Sequence, residues 1–407
     1  MDIYQVGGSI RDKLLGLKIK DRDWVIVGST PEEMTSLGYK PVGKDFPVFL
    51  HPDTHEEYAM ARTERKSGPG YKGFSFNTSP DVSLEQDLSR RDLTINAIAE
   101  DNAGNIIDPF NGREDLKLGI LRHISPAFSE DPLRVLRTAR FASRFNFKIA
   151  PETLDLMQDI SDSGELKTLV PERVWTELEK SLTYNYAHRF FEVLKECNAL
   201  EQLFPEIQAL YGVPQPEIHH PEIDTGIHTM MVLQQAVKFT DDTQIRFAAL
   251  VHDLGKATTS KDILPKHKGH EERGAKIVKK LCNRLKIPNK YRDLAILVCR
   301  YHFICHTVDE LRPDTVINKL EAMDAFRRPE RFQQFLIACE ADARGRTGFE
   351  EKSYPQASKF MKYFELARDI DTSHLETSNI KGKEIAVEIH QLRVNSIAKY
   401  RASIQQV

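Results

Sequence analysis

The sequence predicts an α+β protein with its strands first: a small mixed sheet with helices, followed by an all-α remainder. Three observations predict it. Short β-rich stretches such as IYQV, FPVFL and EEYAMA fall in the first third of the chain. From Pro132 onward the texture changes to long segments with apolar residues three and four apart. At 407 residues, 40% of them hydrophobic, the chain can build two to four packed domains at about 100–200 residues each. No apolar run reaches the ~18–20 residues of a membrane span, and the N-terminus lacks the basic and apolar regions of a secretory signal.

The elements follow in order. IYQV is a strand, Gly7-Gly8 breaks it, and SIRDKLLGL carries Ile10, Leu14 and Leu17 at helical spacing. DRDWVIVG reads as a strand ending at Gly28. FPVFL (46–50), EEYAMA (56–61) and NIIDPF (105–110) add further strands. PLRVLRTARFASRF, PETLDLMQDI, PERVWTELEKSL and HRFFEVLKEC are amphipathic helices, three of them opened by proline. Prolines 205, 214, 216 and 221 read as a linker. A second helical block runs from 227 to 343, and the loop GRTGFEEKSYPQ precedes a helix-rich tail.

The five cysteines (197, 282, 299, 305 and 339) are odd in number and include no CxxC. That pattern argues for a reducing, cytoplasmic setting and against a disulfide scaffold or a cysteine zinc site. The charge balance, 57 basic against 60 acidic residues, argues against nucleic acid only as an average. Residues 265–292 hold ten Lys/Arg and two Asp/Glu, and residues 60–73 hold four and one. Residues 150–166 hold five acids and no Lys or Arg. Local basic runs of this kind suit phosphate-backbone contacts.

Asp21 and Asp23 are two apart on the expected strand, which sends both side chains to one face. Two such carboxylates can hold a pair of divalent cations about 3.5–4 Å apart. A lone Asp-x-Asp is usually a solvated turn. Here, however, Gly7-Gly8 opens a helix upstream, where the backbone can approach a phosphate and Ser9 and Arg11 can donate hydrogen bonds. Gly-Gly-x-x-Arg followed by Asp-x-Asp resembles motif A of the DNA polymerase β nucleotidyltransferase superfamily. The resemblance implies a third carboxylate on a neighbouring strand, for which Glu57 is the candidate.

Downstream, SRRDLTINA (89–97) precedes SEDPLRVLRTARFASR (129–144). Asp131 before Pro132 reads as a helix cap. Arg134, Arg137, Arg140 and Arg144 form one stripe with no acid among residues 132–144, while Leu133, Leu136, Ala139 and Phe141 take much of the other side. Adenine and cytosine share an edge, an amine donor beside a ring-nitrogen acceptor. An Asp accepting from the amine and an Arg donating to the ring nitrogen would select both and reject guanine and uracil.

GGSIRD, DRDWVIVG, SRRDLTINA and EDPLRVLRTARFA together are similar to the bacterial class II tRNA nucleotidyltransferases, the CCA-adding family. The resemblance implies a polymerase-β-like head with metal ligation by Asp21 and Asp23. It implies nucleotide contacts from Gly8, Arg11, Arg91, Arg137 and Arg140, and places the base template on Glu130, Asp131 and Arg134. It gives Asp92 and Asn96 a role in shaping the ribose and hinge region, and makes residues 62–76 a flexible loop. Mg²⁺ would be the cofactor, and ATP, CTP and tRNA the partners. A poly(A) polymerase of the same superfamily shares these head motifs and stands as the nearest alternative.

In the second helical block, AALV leads into His252-Asp253 on an expected helix, with His228, His270, His302 and Asp342 elsewhere. Single histidines are mostly core residues, yet the set resembles the HD phosphohydrolase domain. The resemblance implies His228, His252, Asp253 and Asp342 as metal ligands, with His270 and His302 near a second metal or the substrate phosphate. It also implies 2′,3′-cyclic phosphodiesterase, 2′-nucleotidase and phosphatase activity. Imidazole-rich sites favour a transition metal, with Ni²⁺ expected first and Co, Mn or Zn beside it. The joined chemistries resemble a gammaproteobacterial subset of the family. The expected organisation is a head (1–122), a helical neck with nucleotide and tRNA contacts and the Pro-rich linker (123–225), an HD domain (226–345) and a helical tail (346–407). The expected assembly is a monomer or weak homodimer with no membrane contact.

Overall fold

The computed structural model describes residues 1–19, 21–42, 48–66, 74–373 and 381–405. By compactness the chain divides into two units, Met1–Ser181 with Arg189–Leu203, and Leu182–His188 with Phe204–Val407.

The first unit is built on a mixed sheet. The described strands of this unit are β1 (Asp2–Val6), β2 (Asp23–Val27), β3 (Lys40–Val42), β4 (Val48–Leu50), β5 (Glu57–Met60), β6 (Thr63–Lys66), β7 (Phe74–Asn77), β8 (Ala99–Glu100), β9 (Ile106–Ile107), β10 (Ile120–Leu121) and β11 (Lys148–Ile149). Seven of them order as β3-β4-β5-β2-β1-β8-β9. Only the β2–β5 pair in this sheet is parallel, with Asp23 opposite Glu57. Alternation along β2 sends Val25 to a core with Val6, Leu88 and Ala99, and Ile26 to the opposite core with Met34, Phe49 and Met60. Of the loop expected at 62–76, residues 67–73 lie outside the described residues. Its flanks are the antiparallel hairpin β6–β7 rather than loop.

The helices of this unit are α1 (Gly8–Leu14), α2 (Pro31–Ser36), α3 (Leu84–Ser89), α4 (Gly112–Leu118) and α5 (Leu133–Phe145). After them come α6 (Pro151–Asp162), α7 (Pro171–Leu182) and α8 (His188–Glu196), where periodicity predicted helix, and a short α9 (Ala199–Leu203) that it did not mark. Thr30 and Ser83 close capping boxes at the starts of α2 and α3. The cap of α5 sits one residue later than expected: Pro132 holds the cap position, while the Asp131 carboxylate accepts from the Leu133 N–H at 3.0 Å.

The second unit is helical among its described residues: α10 (Pro205–Gln208), α11 (Thr225–Phe239), α12 (Thr243–Val251), α13 (His270–Arg284), α14 (Asn289–His306), α15 (Pro313–Ala322), α16 (Pro329–Arg344), α17 (Pro355–Arg368) and α18 (Lys383–Gln405). Small residues let α11, α12 and α16 approach closely around Val232, Ala236, Ala249 and Ala341. A fully buried Arg246 secures the end of α11 through the carbonyls of Thr240, Leu182 and Val237 and the Asp241 carboxylate. No described helix is long and apolar enough to cross a membrane, and all five cysteines are free and buried.

Gly255, in the turn Leu254–Thr258, packs directly on the backbone of α13. A Cβ there would fall on the His270 carbonyl and 2.6 Å from the Gly274 nitrogen. Gly255→Ala is therefore expected to destabilise this unit by about 3 kcal/mol or more, the upper range for overpacking. The check is a lowered thermal transition in the variant.

Candidate functional site

Two clusters of chemistry-bearing side chains stand out, one in each unit.

The first lines a cleft of about 660 Å³ in the N-terminal unit. Gly7 opens α1 at φ +70°, and a Cβ on it would come within 2.7 Å of Arg91 Nη1. Nine arginines and one lysine line the cleft against four aspartates, Asp21, Asp23, Asp92 and Asp131. Asp23 is the first residue of β2 and Asp21 lies just before it, so the pair stands at the mouth of the strand rather than along it. Among the described residues no hydrogen bond or ion pair engages either side chain. Glu57 is brought beside Asp23 by the β2–β5 register and lines a neighbouring cavity of about 570 Å³ with both aspartates. Glu130 ends the turn Pro126–Glu130 and is not among the cleft-lining residues.

The arginine stripe of α5 departs from expectation in one respect. It has no acids of its own, yet acids from other elements pair with it. Arg137 Nε donates to Asp92 at 2.7 Å, Arg144 to Asp12 at 2.7 Å, and Arg140 to Glu177 of α7. Arg134 donates to the carbonyls of Ala127 at 2.9 Å and Arg90 at 2.5 Å. Behind them Asp87 receives Arg90 and Arg91 at 2.8 and 3.1 Å. Each guanidinium is thus held in a fixed direction, which preorganises the wall for an anion.

Arg11 lines the same cleft and is likewise paired. It donates to Asp12 at 2.8 Å and to Asn96 at 2.5 Å, while the Ser9 hydroxyl bonds the Val6 carbonyl at 3.0 Å. Asp92 accepts from Leu93 N–H, Asn96 and Arg137. Burial pushes its carboxyl up, but the Arg137 charge and these bonds outweigh it and hold Asp92 well below the usual carboxylate range. Phe141, expected on the apolar side, lines the cleft beneath Arg140, 4.3 Å from its ring centre.

Arg62, Arg90, Arg173 and Lys180 line the cleft without having been anticipated. Arg173, Glu177 and Lys180 recur at spacings of four and three on α7, the periodic signal that pointed to them.

The second cluster is buried in the C-terminal unit. His252 caps the end of α12 and Asp253 follows it, so the pair sits at the helix terminus rather than on the helix. Two groups of metal-competent atoms meet there: His228, His252 and Asp342, and Asp253, His270 and His302. Within them His228 Nε2 lies 3.1 Å from Asp342 Oδ1, and His252 Nε2 lies 3.1 Å from Asp253 Oδ2. His270 Nε2 lies 3.4 Å from Asp253 Oδ1.

The tautomers are set by the other ring nitrogens. Nδ1 of His252 faces the Ala249 carbonyl at 2.8 Å, Nδ1 of His270 that of His267 at 2.7 Å, and Nδ1 of His302 that of Val298 at 3.1 Å. Each Nδ1 must carry a proton and donate, so in the neutral ring the lone pair is on Nε2. His270 and His302 then present lone pairs to each other across 3.4 Å. His252 Nε2 and both Asp253 oxygens are buried without a well-aligned hydrogen-bond partner, although Lys256 Nζ stands 2.6 Å from Asp253 Oδ2. Converging lone pairs and carboxylates repel one another unless a cation sits between them, so this donor set fits divalent metal.

The titration behaviour has the same origin. Burial pushes His252 down, but Asp253 and Asp342 outweigh it and hold the imidazole up at about 10, so the charged ring carries a proton at Nε2 as well, and a metal bound there would take that proton's place. His302 is pushed down to about 3 by burial.

Of the stretch expected to be a linker, Pro205 opens α10, while residues 214–222 form a packed wall of this site. Pro214 bridges to Asp224, Gln215 bonds Lys256 at 2.5 Å, and the Glu222 carboxylate lies 3.0 Å from His228 Nδ1 and 3.1 Å from His220 Nδ1. His306 completes the far side, 2.7 Å from Asp342 and 2.7 Å from the Tyr354 hydroxyl. Glu222 and His306 were not anticipated. The His302–His306 spacing of one helical turn was the available signal for the latter.

Family models match three stretches of the chain. "Poly A polymerase head domain" matches residues 3–122, "Probable RNA and SrmB-binding site of polymerase A" matches 146–210, and "HD domain" matches 225–327. The Multifunctional CCA protein of Nitrosococcus oceani is 57% identical over 397 residues, covering 98% of each chain. That of Thioalkalivibrio sulfidiphilus is also 57% identical, over 99% of each. Among solved structures, the Bacillus stearothermophilus CCA-adding enzyme in complex with CTP superposes with a TM-score of 0.63 at 23% identity. The match covers 100% of this chain and 95% of that one. The Thermotoga maritima CCA-adding enzyme complexed with tRNA gives a TM-score of 0.64 at 20% identity, over 99% and 91%. With a nucleotidyltransferase head, an HD domain and near-full-length relatives at 57% identity, the chain belongs to the multifunctional CCA protein family.

Proposed function

We propose that the protein adds C, C and A to the 3′ end of tRNA from CTP and ATP without a nucleic-acid template, and that its HD site hydrolyses phosphate esters. The observation that carries the reading is the head cleft, where ten basic side chains face two aspartates that no described residue engages. That combination supports nucleotidyl transfer from a triphosphate. Asp21 and Asp23, with Glu57 in register beside them, would hold divalent cations, Mg²⁺ in this reading. Cations so held supply charge stabilisation at the attacking 3′-oxygen and the departing pyrophosphate. The arginine wall binds and orients the triphosphate. The 3′-hydroxyl attacks the α-phosphorus in line, forming the new ester as the bond to the pyrophosphate oxygen breaks.

Asp131 and Arg134 act as the template. Asp131 keeps acceptor capacity beyond its bond to Leu133, and Arg134 is fixed by two carbonyls, which supports a rigid read of the shared A/C edge. Asp131→Ala is expected to raise misincorporation of GTP and UTP relative to CTP by about 10–100-fold, the range for one mismatched pocket interaction. The discrimination ratio, rather than total rate, is the readout, because Arg134→Ala also frees the Ala127 and Arg90 carbonyls. An unchanged ratio in both variants overturns the template.

In the HD site His228, His252, Asp253 and Asp342, with His270 and His302, would hold one or two transition-metal ions, Ni²⁺ first among Ni, Co, Mn and Zn. A bound ion supplies an activated water and charge stabilisation at phosphorus. The proposed substrates are 2′,3′-cyclic and 2′-phosphate ends, whose removal restores a 3′-hydroxyl for the head to extend. The setting is cytoplasmic, in line with five free cysteines, and the assembly a monomer or weak homodimer. The deciding test incubates the protein with tRNA lacking its 3′ end and each labelled nucleoside triphosphate in turn. Incorporation of C and A alone is expected, and extension with ATP only would indicate a poly(A) polymerase instead.

A further inference from the structure

A basic surface on the C-terminal unit belongs to neither catalytic site. From Arg273 to Lys290 the chain contains no Asp or Glu. Helix α13 buries His270, Gly274, Ala275, Val278, Leu281 and Cys282, which turns Lys276, Lys279 and Lys280 to the opposite, exposed side. Lys286 and Lys290 are exposed in the turn and the first residues of α14. None of these five lysines has a carboxylate within ion-pair distance among the described residues, whereas ordinary surface helices mix both signs.

Lys290 carries the patch into a cavity of about 550 Å³, lined also by Arg327, Arg328 and Arg331 at the start of α16. Those three arginines share one nearby carboxylate, Asp324, at 3.8, 3.3 and 4.0 Å. Arg331 Nε is buried with no acceptor among the described residues. Asp293, also in the wall, is taken by Arg292 at 2.8 Å, and Glu330 is the remaining acid.

We infer that the α13 lysine face and this arginine-lined cavity form one docking surface for the sugar-phosphate backbone of RNA. The inference rests on the reading of the protein as a tRNA enzyme. The chemistry favours backbone over bases: lysines are point charges on flexible stems that track phosphates and read no sequence. Recognition of a folded RNA by shape and phosphate positions requires nothing more. The patch lies beyond residues 146–210, where the RNA-binding family model matches.

The test uses the full-length protein and a tRNA transcript lacking its 3′-terminal CCA. In the triple variant Lys276→Glu, Lys279→Glu, Lys280→Glu, KM for the tRNA is expected to rise at least tenfold with kcat unchanged, the mark of weakened uniform binding. The log–log salt dependence of tRNA affinity should become shallower by about 2–3, near 0.7–0.9 for each phosphate no longer neutralised. Hydrolysis of a 2′,3′-cyclic mononucleotide should stay at the wild-type rate, because that substrate has no backbone to dock. The triple Lys→Gln variant, with a milder charge change, should give a smaller shift in the same direction. If the wild type extends the tRNA and both variants match it in KM and salt slope, the surface is not an RNA site and suits an acidic protein partner instead, while the functional reading stands. If the wild type neither binds nor extends the tRNA, both fall together.

Discussion

Replacing Asp21 or Asp23 by Asn is expected to lower the rate of CMP and AMP incorporation by at least about 10³-fold, the scale on which preorganised charge at a reacting phosphoryl group contributes. The measurement is single-turnover addition to tRNA lacking its 3′ end at saturating Mg²⁺. Among the described residues neither carboxylate makes a hydrogen bond or ion pair, so their removal breaks none, and the variants should melt with the wild type. A variant that keeps near-normal incorporation would overturn the metal-holding role. Glu57→Gln provides a graded comparison. Glu57 is aligned with Asp23 by sheet register but sits outside the arginine-lined cleft, so its loss should cost less than that of either aspartate.

The second large effect separates the two activities. His252→Ala and Asp253→Asn are each expected to reduce hydrolysis of a 2′,3′-cyclic nucleotide by at least about 100-fold, because loss of a metal ligand exceeds the 10–100-fold cost of losing its supporting partner. Metal content after dialysis should fall in parallel. CCA addition should stay within about twofold, as expected for sites that share no partner. Loss of both activities in a folded variant would show that the two sites are coupled and overturn their independence. Added EDTA should silence both activities in the wild type, with Mg²⁺ restoring only nucleotide addition and a transition metal restoring hydrolysis.

Much of the fold was legible because local pattern determines local structure. The helices α5 to α8 were marked by three- and four-residue apolar spacing and, in three of the four, by an opening proline, both independent of the rest of the chain. The strands β2 and β5 were likewise visible, although the parallel pairing that sets Glu57 beside Asp23 is a matter of register. The Pro-rich stretch misled for a physical reason. Proline density reports that a segment interrupts regular helix, not whether it is exposed, and here the chain packs Gln215, His220 and Glu222 into a metal-competent wall. Phe141 misled in a similar way: an apolar ring reads as core, yet guanidinium groups stack on it as readily as side chains pack.

The sequence by itself determined which chemical groups this protein carries and in what local order: Gly-Gly before a helix, Asp-x-Asp at a strand, an arginine every turn of α5, and His-Asp at a helix end. Those features depend on residues a few positions apart, whose relative placement the backbone periods dictate. Only the tertiary structure decided what each group faces. It set Asp12 against Arg144, 132 positions away, and Asp92 against Arg137, 45 away, so that a stripe without acids of its own became an ordered, paired wall. It also gathered His228 and Asp342, 114 apart, with their lone pairs converging on one buried point. Charge compensation and ligand convergence are long-range contacts, and sequence spacing says nothing about them until packing brings the segments together.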